Sequence, residues 1–311
     1  MSQFRIRWSR YRPFSFVGTH VPCSLCGSED LSVVRKRDRW FNRLRNVLCR
    51  RCGLIFLNPM PSDQEVQDFY RHHFWRRSQG AFLPTAKRLR RDRRSAQDRM
   101  QLLTPMLKPG MRILDIGSGS GEFLAAAKSA GYEVEGVEPS LEYARYSERE
   151  HGVTVHAEPL AGVDFGTRRF DLITSNHAFE HMRDPLGSFR RCHELLRPSG
   201  YLNIAVPDLA ESGTWPLRFY QFAHLYGFTH QSLVMMAAKA GFGPPVDGQR
   251  QGTMLTFRRL AAPNPNWLSY PDHGRAMEAL LRTRTIWRYL VAGKSYGRIP
   301  RRMAIAAILT T

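Results

Sequence analysis

Two cysteine pairs, Cys23-x-x-Cys26 and Cys49-x-x-Cys52, have the type and spacing of metal ligands. Each pair can chelate on a tight knuckle, and two knuckles can close one tetrahedral four-thiolate site around zinc. Gly27 and Gly53 directly follow the second cysteine of each pair and ease those turns. Four protein ligands leave no open position, so the zinc this spacing predicts is structural. Paired cysteines of this kind speak for metal binding in a reducing compartment, hence the cytoplasm, rather than for a disulfide framework. Cys192 falls in a predicted helix and reads as a buried side chain.

A second chemical signal lies in Ile113-Leu-Asp-Ile-Gly-Ser-Gly-Ser-Gly-Glu122. A strand ends at Asp115, a turn built on Gly117, Gly119 and Gly121 follows, and a helix begins. Such a turn lets the backbone approach a ligand closely. Glu138 ends the next predicted strand, where a carboxylate can accept both ribose hydroxyls of an adenosine. Asp115 separates the possible ligands. A carboxylate there would repel the pyrophosphate of a dinucleotide, whereas S-adenosylmethionine (SAM) brings a cationic amino-acid end.

The elements that must position these residues alternate. Predicted strands at 111–116, 133–137, 153–156, 170–174 and 201–206 are separated by helices at 121–130, 141–151 and 185–196. That order predicts an α/β fold, a Rossmann-like doubly wound parallel sheet with helices on both faces. A helix at 231–240 and a strand at 254–257 finish it. Upstream, Ser62-Asp-Gln-Glu65 reads as a capping box opening a short helix toward Tyr70. A basic helix over 85–107 places Leu89, Ala96, Met100, Leu103 and Leu107 near one face. The predicted organisation is a basic flexible arm at 1–21, a zinc ribbon at 22–57 and a helical linker or cap at 58–107. A SAM-binding core at 108–262 and a basic helical tail at 263–311 complete it.

These landmarks resemble the class I SAM-dependent methyltransferases, specifically a bacterial branch with an N-terminal zinc ribbon. The resemblance is carried by Cys23-Ser-Leu-Cys-Gly-Ser28, by Cys49-Arg-Arg-Cys-Gly-Leu-Ile-Phe-Leu-Asn-Pro-Met-Pro-Ser62 and by the glycine turn. It continues through Gly136-Val-Glu-Pro-Ser140, Phe170-Asp-Leu-Ile173, His177-Ala-Phe-Glu-His181, Leu196-Arg-Pro-Ser-Gly200 and His224-Leu-Tyr-Gly-Phe-Thr229 to Ala240-Gly-Phe242. It implies a seven-stranded sheet whose last strand is antiparallel, with SAM across the carboxyl ends of the first strands. It also implies that Asp115 and Gly117 sit by the methionine part, Glu138 on the ribose and Leu160 near adenine.

Methyl transfer to a hydroxyl needs a base, and histidine is the natural candidate. The resemblance places His177 and His181 at the edge facing the transferred methyl, with Glu180 and His181 alternatively capping the following helix. Related quinone O-methyltransferases carry glutamate at the position of His177 and are linked to a divalent cation; His177 argues against a catalytic magnesium here. His224 lies in the insertion where the resemblance places substrate, and it is the first choice of base. Zinc-ribbon sugar C-methyltransferases carry tyrosine–any–glutamate–histidine there. Gln221-Phe-Ala-His224 keeps only the histidine, which argues against the same ketosugar chemistry.

The expected acceptor is a small polar molecule, a sugar or glycan of polysaccharide or natural-product synthesis. RNA methylation is the alternative, since some ribosomal RNA methyltransferases join a zinc ribbon to this fold. They usually complete it with a histidine where Cys52 stands. A non-catalytic SAM-fold binding protein is the third reading. Of the net charge of +19, residues 1–110 carry 23 Lys/Arg against 8 Asp/Glu, whereas residues 111–262 carry 15 against 17. Basic flanks can meet phosphate, RNA or an anionic membrane surface, or stay solvated. No apolar run approaches the roughly 20 residues that span a bilayer, and no secretory signal is expected.

Overall fold

The computed structural model describes residues 14–39, 42–70, 83–210, 218–246 and 253–284. The start of the basic arm and the tail from 285 onward lie outside these residues, as do Trp40 and Phe41.

The central sheet is built from β4 (Arg112–Ile116), β5 (Glu133–Val137), β6 (Thr154–His156), β7 (Phe170–Asn176), β8 (Leu196–Ala205), β10 (Phe242–Pro245) and β11 (Met254–Arg259). Its order is β10-β11-β8-β7-β4-β5-β6, parallel from β8 through β6, with β11 antiparallel to both neighbours. This is the seven-stranded doubly wound sheet with an antiparallel final strand that the alternation and the resemblance predicted. The strand order reverses at β4, which lies between β5 and β7. Ligands of open α/β sheets bind at such a reversal, beyond the carboxyl ends of the strands. Asp115, Glu138 and His177 all fall there.

Helices α3 (Glu122–Ser129), α4 (Leu141–His151), α5 (Pro185–Leu195) and α6 (His230–Lys239) cover the sheet. Their starts follow local chemistry. Ser140, Asp184 and Thr229 each accept a backbone N–H from the first turn through the side chain. Upstream, α1 (Asp63–Phe69) opens on the expected capping box of Ser62 and Glu65, and α2 (Ala86–Leu103) begins at Thr85. Glu65 also accepts the N–H of Val17 at 2.7 Å, and Thr19 pairs with Met60. The described end of the expected flexible arm is therefore anchored to the body.

The ribbon is less separate than the spacing suggested. Strands β1 (Leu31–Arg37), β2 (Arg43–Cys49) and β3 (Ile55–Leu57) form an antiparallel sheet. Its fourth strand is β9 (Tyr226–Gly227), supplied by the insertion that carries His224. One buried apolar cluster runs from Cys23, Val47 and Phe56 through Phe222 and Phe228 to Leu202 and Phe257. Helix α7 (His273–Thr283) then packs on the ribbon. A side chain at Gly274 would strike the Arg50 carbonyl, and Glu278 binds Arg50 at 3.2 Å and Ser32 at 2.8 Å. Ribbon, insertion and α7 are one packed unit because none of them covers its own apolar face alone.

Candidate active site

The glycine turn follows β4 directly. Gly117 and Ser118 donate to the Val137 carbonyl at 2.7 and 3.1 Å, which ties the turn to the end of β5. Gly119 has φ +55°, and a methyl group built on it would meet nothing within 4 Å, so its backbone borders open space. Glu138 sits at the rim of that space. Its Oε2 accepts the N–H of Gly119 at 2.9 Å and its Oε1 accepts that of Ser140 at 2.9 Å. Burial pushes the Glu138 carboxyl up, and the two amides pull it the other way. Each oxygen is thus aimed before any ligand arrives. Leu160 is buried in the same apolar cluster as Val137.

Asp115 is engaged from an unexpected side. Arg99 of α2 donates through Nη2 to Asp115 Oδ1 and to Thr174 Oγ1, both at 2.6 Å, with its guanidinium 3.8 Å over the Phe123 ring. Arg99 and Asp115 are 6% and 2% exposed, so this is an ion pair inside the core. Burial pushes the Asp115 carboxyl above its usual range, even against the Arg99 charge. Arg99 was missed in the sequence, although an arginine in register with Ala96 and Leu103 on an apolar helix face is a visible signal.

The histidines gather around one buried acid. Glu180, 2% exposed, lies in a short 3-10 turn, Phe179–His181, beyond β7. Its Oε1 is 3.5 Å from His177 Nδ1 and 3.7 Å from His181 Nε2, and its Oε2 has no partner. Burial opposes ionisation of Glu180, but His181, His177 and His224 outweigh it and hold the carboxyl below its usual range. His177 takes φ +57°, a conformation uncommon outside glycine that clusters at functional sites. Its side chain is 58% exposed, and the neighbouring Ala178 fills the space where Gly117 would carry a Cβ. His177 therefore stands in the open, beside the glycine turn, with a buried carboxylate behind it.

His224 is placed differently. Its Nδ1 donates to the Phe219 carbonyl at 2.8 Å, and its Nε2 faces the Gln221 amide nitrogen at 2.7 Å. Burial, reinforced by His181, pushes the imidazole down to about 3. Both nitrogens are spent and the ring stays neutral, so His224 is poorly arranged to take a proton from an acceptor. His181 donates Nδ1 to the Ala223 carbonyl at 2.6 Å and stacks edge-on to His224 at 5.0 Å.

Ligand atoms of Glu180, His181 and His224 lie within 4.8 Å of one another, close enough to hold a metal. The group does not fit a resident magnesium. Magnesium takes oxygen ligands, only Glu180 offers one, and Gln221 already caps His224.

The four cysteines do fit zinc. Cys23 and Cys52 Sγ lie 3.5 Å apart, Cys26 and Cys49 Sγ 3.4 Å, and all four are within 4.8 Å. A zinc–thiolate tetrahedron needs sulfurs about 3.8 Å apart. The knuckles repeat one design: Gly27 donates to the Cys23 carbonyl at 2.7 Å, Gly53 to that of Cys49 at 2.8 Å. The close thiols share protons: their mutual hydrogen bonds hold Cys26 and Cys49 down and push Cys23 and Cys52 up.

The profile of the family described as "Methyltransferase domain" matches residues 88–243, half of the chain. Among curated relatives, the ubiquinone biosynthesis O-methyltransferase of Haemophilus ducreyi is 32% identical over 107 residues, 31% of this chain and 45% of that protein. Its namesake in Pseudomonas aeruginosa is 33% identical over 103 residues, 31% of this chain and 44% of that protein. The chain thus spans less than half the length of these relatives. A solved structure of Burkholderia thailandensis 1,6-didemethyltoxoflavin-N1-methyltransferase, with 1,6-didemethyltoxoflavin and S-adenosylhomocysteine bound, shares the fold. Its TM-score is 0.50 at 23% identity, covering 67% of this chain and 96% of that one. A glycine turn after β4 and a doubly wound seven-stranded sheet coincide with the profile match, and the chain belongs to the methyltransferase-domain family.

Proposed function

We propose that this chain transfers a methyl group from SAM to a hydroxyl, or an activated carbon, of a small polar acceptor, a sugar or glycan. SAM supplies an electrophilic methyl on a cationic sulfur. The protein's part is alignment, exclusion of water and removal of one proton. Glu138 is aimed at the ribose, Gly117 and Gly119 let the backbone close on the ligand, and Leu160 offers an apolar wall for adenine.

His177 is the observation that carries the reading. It is the accessible imidazole at the carboxyl end of β7, with Glu180 placed to stabilise the cation formed when it takes the acceptor's proton. Carbon–sulfur bond breaking and carbon–oxygen bond formation proceed in line. The hydroxyl proton passes to His177, and S-adenosylhomocysteine leaves. His224, first choice from the sequence, becomes a positioning residue that supports His181. The O-methyltransferase names of the curated relatives support an oxygen acceptor. The four-cysteine site holds structural zinc, and cysteines kept for a metal rather than for disulfides suit the cytoplasm. Among the described residues, no helix is long and apolar enough to cross a membrane.

The test offers radiolabelled SAM and a panel of sugars, nucleotide sugars and glycans to the purified protein, with calorimetry for S-adenosylhomocysteine alongside. His177→Gln is expected to lower turnover about 10²–10⁴-fold with product affinity unchanged. Glu138→Ala is expected to weaken that affinity by about tenfold or more, since charge-assisted hydrogen bonds are lost. Full turnover by the His177 variant, or no heat with the product, overturns the reading. A second reading, RNA methylation, is favoured by the exposed Lys87, Arg90, Arg91 and Arg94 on one face of α2. It requires RNA affinity that falls steeply with salt.

A further inference from the structure

We propose that Asp92 of α2 is a positioning residue for the cofactor: it holds the Arg88 guanidinium away from Glu138, so that both oxygens of that carboxylate stay open to the ribose hydroxyls. This deepens the cofactor reading and rests on it, and it adds a part of the site that comes from outside the glycine turn and its strands.

From Lys87 to Arg94 the chain holds six cations and one acid, Asp92. The helical repeat decides where that acid points. Arg88, Asp92, Ser95 and Arg99 are spaced four, three and four positions apart, which sets them on one ridge of α2. That ridge faces the sheet ends. The side chains of Arg88 and Asp92 are 26% and 17% exposed, against 68% for Arg91. Farther along, Ser95 Oγ accepts Asn176 Nδ2 from the end of β7 at 3.5 Å, and Arg99 reaches Asp115. Two guanidiniums therefore turn inward from a helix whose other cations turn out. Arg99 is balanced by Asp115 from β4. Arg88 finds its carboxylate on its own helix, where its Nε donates to Asp92 Oδ2 at 2.6 Å.

Asp92 Oδ2 also accepts the Ser120 hydroxyl at 3.1 Å. Ser120 follows Gly119, whose N–H binds Glu138 Oε2, so a short run of contacts links Arg88 to the acid aimed at the ribose. The turn is held from its other side as well. Ser147 Oγ donates to the Gly119 carbonyl at 3.0 Å, and His151 Nε2 to that of Ser120 at 3.1 Å. Its shape does not hang on Asp92 alone, and what Asp92 adds is charge. Burial pushes the Glu138 carboxyl up, while the Ser140 and Gly119 amides and then the Arg88 charge pull it down. Burial likewise pushes the Tyr143 phenol of α4 up to about 12, and Arg88, Asp92 and Glu138 all act on it, which fits their closeness. A half-buried guanidinium left without its partner is costly. With Asp92 neutral, Glu138 is the carboxylate that Arg88 already acts on, and a pair between them would occupy the oxygens the ribose needs.

Calorimetry with S-adenosylhomocysteine on the full chain tests the idea. Asp92→Asn keeps the shape and an oxygen for Ser120 but drops the charge. Its affinity is expected to fall about tenfold, the factor that follows when Arg88 occupies Glu138 for about nine-tenths of the time. A melting curve close to that of the unaltered chain should accompany the loss. Adding Arg88→Gln should restore most of the affinity, a recovery that a merely structural role of Asp92 does not give. Undiminished affinity in Asp92→Asn, or no recovery in the double variant, overturns the proposal. Absence of heat with the unaltered chain would instead count against cofactor binding itself, and the two failures are distinct.

Discussion

Stripping the ribbon with a zinc chelator, or replacing Cys52 with serine, is expected to release about one zinc per chain and cut acceptor turnover by roughly 10²-fold or more. A structural four-thiolate site contributes about 10–16 kcal/mol of apparent binding energy that is also folding energy. Here that energy organises more than the ribbon. Strand β3 pairs with Tyr226–Gly227, the Leu57 N–H binds the Leu225 carbonyl at 2.8 Å, and His224 lies just before them. The second knuckle also seats α7, since a Cβ on Gly53 would collide with His273. Loss of the metal should therefore loosen the His224 shell and the seat of α7 together. The glycine turn is held by β4 and β5, so S-adenosylhomocysteine affinity should fall far less than turnover. Metal analysis, melting curves and product calorimetry on the same sample decide it. Purified protein that is fully active and equally stable with no metal would end the structural-zinc reading.

The second large effect concerns Arg99. Arg99→Met should destabilise the fold by about 3–5 kcal/mol at neutral pH, the range for breaking a buried pair and leaving one charge alone. The effect should depend on pH in a defined direction. Asp115 already sits above its unfolded value in the native chain, so it binds its proton more readily folded than unfolded. The stability contributed by neutral Asp115 is present at acid pH and lost as pH rises through its folded value. Removing Arg99 raises that value further. The destabilisation in Arg99→Met should thus be small in acid and grow toward neutrality. Adding Asp115→Asn, which keeps the shape and drops the charge, should restore much of the loss. Denaturant titrations at two pH values test both statements. A penalty equal at both, with no rescue by asparagine, would mean that Arg99 acts through packing on Phe123 alone.

Much of this architecture is legible along the chain because its causes are local. The cysteine spacing, the glycine turn after β4, the acid at the end of β5 and the cap at Ser62 depend on neighbours a few residues away. The strand–helix alternation then leaves few topologies open, and the observed sheet is the expected one. Boundaries were less clear. Strand β8 begins already at Leu196, where the expected helix ended and well before the strand expected at 201–206, because the irregular pairing beyond Phe170 absorbs Pro198 and Ser199.

The sequence by itself determined the candidate residues: four cysteines spaced as metal ligands, a glycine turn with an acid at the end of the next strand, and histidines at two places far apart in the chain. Tertiary structure alone decided how they share the work. It turned Asp115 toward an arginine sixteen positions upstream, buried His224 against Phe219 and Gln221, and left His177 open beside Glu180. It also joined the ribbon to the insertion through β9. Exposure, desolvation and pairing are properties of what surrounds a side chain, and most of those surroundings arrive from distant segments only when the sheets pack.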